Sequence, residues 1–149
     1  MFWDTSALVK LYASEPDSRF FLRLAASSPP ILVSAVAAVE LQSALTRKEK
    51  AGDLFQGGAA AFMAAFDEDR RQGTIVVLAL NDAVIASARS VISGAAAGTM
   101  NAVLRSLDAI QVASALSSGS DTIVSTDARM REVARSAGLK VAPDQGWRD

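Results

Sequence analysis

Short apolar runs alternating with longer stretches of helical period constrain this chain most. A brief apolar strand flanked by amphipathic helices has one stable home, a parallel sheet covered by helices on both faces. Five such runs occur, at 1–3, 31–34, 75–80, 122–125 and 139–142. Alternation of apolar and polar residues is weak in all five, as expected of strands buried on both sides. Between them 6–13 and 17–26 read as helices, the second closed by Pro29 and Pro30, followed by helices over 35–51 and 53–71. In the last of these Phe55, Ala59, Phe62 and Phe66 form one apolar stripe, a period that favours core or dimer packing over base stacking. Asn81 is placed to cap a fifth helix carrying Val84, Ile85, Ala88, Val91 and Ile92, and 104–116 makes a sixth. The small residues of 94–99 read as a loop, with glycines misspaced for a phosphate-binding loop and no lysine after them. At 149 residues the chain suits one α/β domain spanning 1–149.

Composition narrows the chemistry. The chain has no histidine and no cysteine. Ser-His and Cys-His nucleophiles, histidine acid-base pairs, disulfides and thiolate metal sites are excluded together. Only oxygen ligands remain in quantity. The apolar stretch 57–66 is far shorter than the roughly 18 to 20 residues of a membrane-spanning helix, so no membrane span is expected. Phe2, Trp3 and Asp4 follow Met1 without a basic leader or apolar signal core, which predicts a cytoplasmic protein. The formal charge of −1 suits a nucleic-acid partner once four clustered carboxylates are set aside, because +3 then remains elsewhere.

Parallel α/β sheets bind ligands at the carboxyl ends of their strands. Asp4 and Asp127 stand there, after the first and fourth runs. Each also suits the N-cap of the helix that follows, although neither has the acidic or amide partner three residues on that completes a capping box. Glu40 and Asp108 lie instead in apolar helical runs, where an uncompensated charge costs several kcal/mol. The helical neighbours of Glu40 are Val36, Ala37, Ser43 and Ala44, so no ion pair along the helix neutralises it, and an exposed helix edge is the alternative. Asp108 has Arg105 one turn away, and a local pair is its alternative. Taken together, two acids at strand ends and two on helices can converge on one pocket. Four like charges there require a cation, and oxygen donors alone select Mg²⁺ or Mn²⁺. Such sites commonly hydrolyse phosphodiesters.

The motifs resemble those of PIN-domain ribonucleases of the VapC toxin type. They are Asp4-Thr5-Ser6-Ala7-Leu8, Val39-Glu40 with Ala44-Leu45 and Arg47-Lys48, Leu107-Asp108-Ala109-Ile110 with Ala113, and Ser125-Thr126-Asp127 leading to Gly138-Leu139-Lys140-Val141. They span nearly the whole chain, and their order is more specific than any one of them. The resemblance implies a three-layer α/β/α fold with a five-stranded, mainly parallel sheet in the order 3-2-1-4-5. It implies a Mg²⁺ or Mn²⁺ site at Asp4, Glu40, Asp108 and Asp127, an RNA substrate, a homodimer, and inhibition by a small VapB-like antitoxin. Histidine is frequent in that family after the Asp-Ala-Ile run, where this chain has Gln111, and 94–101 bears on the approach to the substrate groove.

Among flanking residues, Ser6 and Thr126 are favoured over Thr5 and Ser125 for orienting the carboxylates or metal-bound water. Arg105 is the first choice for a phosphate contact, ahead of Lys10, Arg47, Lys48 and Arg129. The expected activity is metal-dependent endoribonuclease cleavage. Two other readings stay open: a phosphoryl-transfer enzyme with Asp4 as nucleophile, which usually needs a second acid where Ser6 stands, and a non-catalytic RNA-binding scaffold.

Overall fold

The five apolar runs become β1 (Phe2–Trp3), β2 (Ile31–Ser34), β3 (Ile75–Leu78), β4 (Thr122–Val124) and β5 (Lys140–Ala142) in a computed structural model that describes residues 1–97 and 104–144. They form one sheet in the expected order β3-β2-β1-β4-β5, with every pairing parallel. Phe2 lies level with Leu32 on one side and Ile123 on the other.

Helices cover both faces. On one lie α1 (Thr5–Leu8), continued by a 3₁₀ turn (Val9–Leu11), then α2 (Ser18–Ser27), α3 (Ala35–Ala51) and α4 (Gly58–Arg71); on the other lie α5 (Asp82–Ala97), α6 (Ser106–Ser117) and α7 (Ala128–Ser136). Consecutive strand residues therefore enter different cores. Trp3 packs with Leu8, Phe21 and Leu41, whereas Phe2 belongs with Val84, Val112 and Met130, and both aromatics are 0% exposed. With both faces buried, neither needs a polar residue, which is why the strands alternate so weakly.

Several boundaries differ from the sequence reading. The first helix is one α turn and one 3₁₀ turn rather than a continuous 6–13, and the tightening falls where Lys10 turns inward to Glu15 and Asp17. α4 starts at Gly58, not residue 53, because Glu49 at the end of α3 accepts hydrogen bonds from the Gly57 and Ala59 amides at 3.0 and 2.8 Å. Gly57 adopts φ 84°, a left-handed conformation that ends any backward extension of the helix. Phe55 thereby leaves the helical stripe, stands 63% exposed and meets Phe62 edge-on. β3 stops at Leu78, and Asn81 opens α5 by accepting the Val84 amide at 3.0 Å. The loop expected over 94–99 is corrected in its first part: 94–97 are the last helical residues of α5, in keeping with the high helix propensity of alanine, while 98–101 lie outside the described residues. α6 begins at Ser106, so Asp108 sits in its first turn rather than mid-helix.

The strand order places the site. From β1 the chain proceeds outward through β2 and β3 on one side, and β4 and β5 lie on the other, so the order reverses between β1 and β4. A crevice opens at the carboxyl ends flanking such a reversal. Asp4 and Asp127 follow those two strands.

Candidate active site

Asp4 leaves β1 with its amide bonded to the Val124 carbonyl at 2.9 Å, which pins the end of β1 to β4. Its carboxylate is 5% exposed, and one oxygen, Oδ2, accepts from the Ser6 hydroxyl at 2.6 Å, the Ser125 hydroxyl at 2.8 Å and the Ser6 amide at 3.3 Å. Ser6 and Ser125 each spend their single hydroxyl proton on Asp4, so their mutual approach of 3.2 Å carries none. Ser6 Oγ also accepts the Thr126 and Asp127 amides, at 2.9 and 3.3 Å. One serine thus ties both strand-end loops to one carboxylate.

Glu40 reaches the same place from α3. Its Oε2 accepts from the Thr5 hydroxyl at 2.8 Å and from the Gln111 amide at 2.6 Å. Gln111 Nε2 also lies 3.0 Å from both Asp4 Oδ1 and Thr5 Oγ1. The reversed amide would aim a carbonyl oxygen at two carboxylates, so the nitrogen belongs there. Its own Oε1 is buried without a partner, a loss of about 1–3 kcal/mol.

Asp108 and Asp127 are more open. Among the described residues Asp108 receives no hydrogen bond, and Arg105 makes no ion pair with it; Arg105 opposes the Asp108 charge only at longer range. Asp127 caps α7, with Oδ1 accepting the Arg129 and Met130 amides at 2.8 and 3.0 Å, while Oδ2 has no protein partner among the described residues. Capping and a place in the cleft therefore coexist, for Asp127 as for Asp4.

The four acids line one open cleft of about 640 Å³, together with Ser6, Arg47, Lys48 and Arg105. Burial pushes the Asp4 carboxyl above its ordinary value, with the Ser6 and Ser125 hydrogen bonds pulling it back. Desolvation likewise raises Glu40, helped by the charges of Asp4 and Asp108 and opposed by the Thr5 and Gln111 hydrogen bonds. Asp108 is raised by desolvation, then by repulsion from Asp127 and Asp4, against Arg105 and Arg129. Glu40 and Asp108 thus feel the charges of neighbouring acids on top of their desolvation, while Asp4 is raised by burial alone.

Among the described residues, no three acidic side chains are gathered tightly enough to enclose an ion as they stand. Mg²⁺ keeps several of its waters, so carboxylates reach it through water as well as directly. The donor set fits a hard divalent cation. It is all oxygen, and Glu40 Oε1, Asp127 Oδ2 and both Asp108 oxygens are free of protein donors among the described residues.

Of the flanking residues favoured from sequence, Ser6 holds Asp4 directly, but the Thr126 hydroxyl touches no carboxylate and donates to the Ser6 carbonyl at 3.4 Å. The direct contacts fall to Ser125 and Thr5 instead. Gln111, noted in the sequence only as standing where the family often has histidine, is the residue to which sequence reasoning gave no role. Its signal was the one that singled out Glu40, a polar side chain inside an apolar helical run, here between Ile110 and Val112.

The PIN domain family model matches residues 1–136. The chain belongs to the PIN domain family. No curated protein matches it by sequence. Its fold is shared with VapC20 of Mycobacterium tuberculosis, described as a sarcin-ricin loop cleaving toxin, at 19% identity and a TM-score of 0.68 over 95% of this chain and 98% of that one. FitAcB of Neisseria gonorrhoeae matches at 18% identity and a TM-score of 0.66, covering 94% of both chains. VapBC2 of Rickettsia felis, bound to a DNA fragment from its promoter, matches at 15% and 0.63 over 94% of this PIN domain and 95% of that chain. No described helix of the PIN domain is long and apolar enough to cross a membrane.

Proposed function

We propose that this PIN domain is a metal-dependent endoribonuclease and the toxin of a toxin-antitoxin pair. The observation that carries the reading is the convergence of Asp4, Glu40, Asp108 and Asp127 on one cleft whose rim also holds Arg47, Lys48 and Arg105. Bound Mg²⁺ or Mn²⁺ supplies the means to acidify water and to stabilise charge on the transferring phosphate and leaving oxygen. The chain's own part is to hold that ion with the four carboxylates and to seat the RNA backbone. Arg105, exposed at the start of α6 and in no ion pair among the described residues, is available for a phosphate. Arg47 and Lys48 are partly engaged, with Ser43 and Glu15 respectively.

An Asp4 nucleophile fits less well, because one Asp4 oxygen accepts from two serines and the other from Gln111. A non-catalytic scaffold has no use for repelling carboxylates whose charges the fold opposes. Its partners in this reading are a small VapB-like antitoxin over the cleft, supported by likeness to VapBC2, and a second copy of this chain in a homodimer.

The test is cleavage of labelled RNA by wild type, Asp4→Asn and Asp108→Asn, with Mg²⁺ and with chelator. Cleavage is expected only from wild type with metal. Activity that survives chelation, or that persists in either variant, would overturn the proposal.

A further inference from the structure

We infer that Gln111 is a positioning residue whose side-chain amide, reaching from α6 behind the carboxylates, holds Asp4 and Glu40 in fixed relation to each other as ligands of the cation. The inference rests on the metal-site reading above. Gln111 is 2% exposed and does not line the cleft, so it stands behind the acids and not in the ion's place. From there one nitrogen, with two hydrogens, joins a carboxylate from the end of β1 to a carboxylate from α3, sharing Thr5 Oγ1 between them.

The choice of group matters. A lysine or arginine in this position would tie the same acids together but leave a fixed positive charge beside the ion, opposing its binding. An apolar side chain would fill the volume and leave the pair without its common donor. A primary amide supplies two neutral donors from one atom, so it orders both acids without cancelling their charge. The unpartnered Oε1 at the other end of the amide fits this account: the group is oriented by the carboxylates, at the expense of its own acceptor. Serving Asp4 and Glu40 together also explains why a long polar side chain is buried between Ile110 and Val112 in α6.

The experiment is titration of the full-length chain with Mn²⁺, reading free Mn²⁺ by electron paramagnetic resonance, for wild type, Gln111→Met and Gln111→His, with melting curves confirming that each is folded at the titration temperature. Gln111→Met keeps the length and removes both donors. Its Mn²⁺ affinity is expected to fall roughly tenfold to a hundredfold, the scale for removing a group that orients metal ligands. Gln111→His restores one ring N–H and is expected to recover part of the loss. Wild-type affinity in Gln111→Met, or equal losses in the two variants, would overturn the role of Gln111 while leaving the metal site standing. Wild type that binds no Mn²⁺ overturns the metal-site reading and Gln111's role with it.

Discussion

Asp4 and Glu40 face neutral donors; Asp108 and Asp127 face the cleft. The inner pair is bound by three hydroxyls and an amide drawn from three segments of the chain, and the hydrogen bonds run to both oxygens of Asp4. The outer pair has only its helices. Asp108 occupies the first turn of α6 and Asp127 the N-cap of α7, where the helix dipole favours a negative charge by about 0.3–1 kcal/mol. The fold has therefore fixed one half of the site in advance and left the other half open to whatever enters. Removing charge should act on stability in opposite directions in the two halves.

The largest effect is on catalysis, where the halves should be equal. Asp4→Asn and Asp108→Asn are each expected to lower RNA cleavage by at least about 10²-fold, the scale of losing one charge-stabilising group. Melting temperature should separate them. Asp108→Asn removes a charge that is costly first through desolvation and then through repulsion from Asp127 and Asp4, and loses no hydrogen bond to the described residues, so its melting point should rise. Asn at position 4 keeps one acceptor for two serines and turns its NH₂ toward the Gln111 NH₂, a conflict worth about 1–3 kcal/mol of destabilisation. Calorimetry showing both variants moving the same way would break the comparison.

Metal addition comes next. Mg²⁺ that binds only the folded state should stabilise wild type by about 2.7 kcal/mol at a hundred times its dissociation constant, and chelator should remove the gain. Asp108→Asn should show little of it, although it is the more stable protein without metal. A smaller effect belongs to Ser6. Ser6→Ala removes a donor to Asp4 and the acceptor for two amides, and is expected to cost about 1–2 kcal/mol in chemical denaturation. Thr126→Ser, which leaves the hydroxyl in place, should fall within about 0.5 kcal/mol of wild type, as a change away from the Asp4 cluster.

The same division marks what could be read from sequence. The strands, the helical cover on both faces and the placement of Asp4 and Asp127 follow from local pattern, since apolar runs and strand ends are contiguous features, whereas the strand order came with the family resemblance and not from any local signal. Glu40 and Asp108 stood out because charge in an apolar run is locally anomalous. The donors around the inner pair were not legible in this way. Gln111 meets Asp4 across 107 positions and Ser125 meets it across 121, and nothing near Ser125 distinguishes its hydroxyl from that of Thr126 until the β1 and β4 ends are set side by side. The late start of α4 has a similar origin. Its cap is Glu49, eight and ten positions before the amides it accepts, whereas capping rules look within one turn.

A fifth acid sharpens the contrast. Glu15 accepts from Lys10 and from Lys48, the latter at 2.8 Å, while Lys10, 8% exposed, also holds Asp17 and lies against the Phe21 ring. Desolvation pushes the Glu15 carboxyl up, as it does the site acids, but the hydrogen bonds and charges of the two lysines outweigh it and hold the group below its ordinary value. A depressed carboxyl stabilises the fold above its unfolded pKa and loses that contribution as pH falls through the folded value. The raised site acids do the reverse, since protonation relieves the cost of their desolvation and, for Glu40 and Asp108, the repulsion that adds to it. Glu15→Gln should therefore cost up to about 1 kcal/mol near neutral pH, the scale of a partly exposed ion pair. Its deficit should close as pH drops below the carboxylate range, whereas the stability advantage of Asp108→Asn should close in the same direction because wild-type Asp108 becomes neutral. Urea unfolding at a series of pH values follows both. A Glu15→Gln deficit that persists in acid would mean that Glu15 contributes packing and neutral hydrogen bonding, and that compensation by cations is not what separates it from the carboxylates of the cleft.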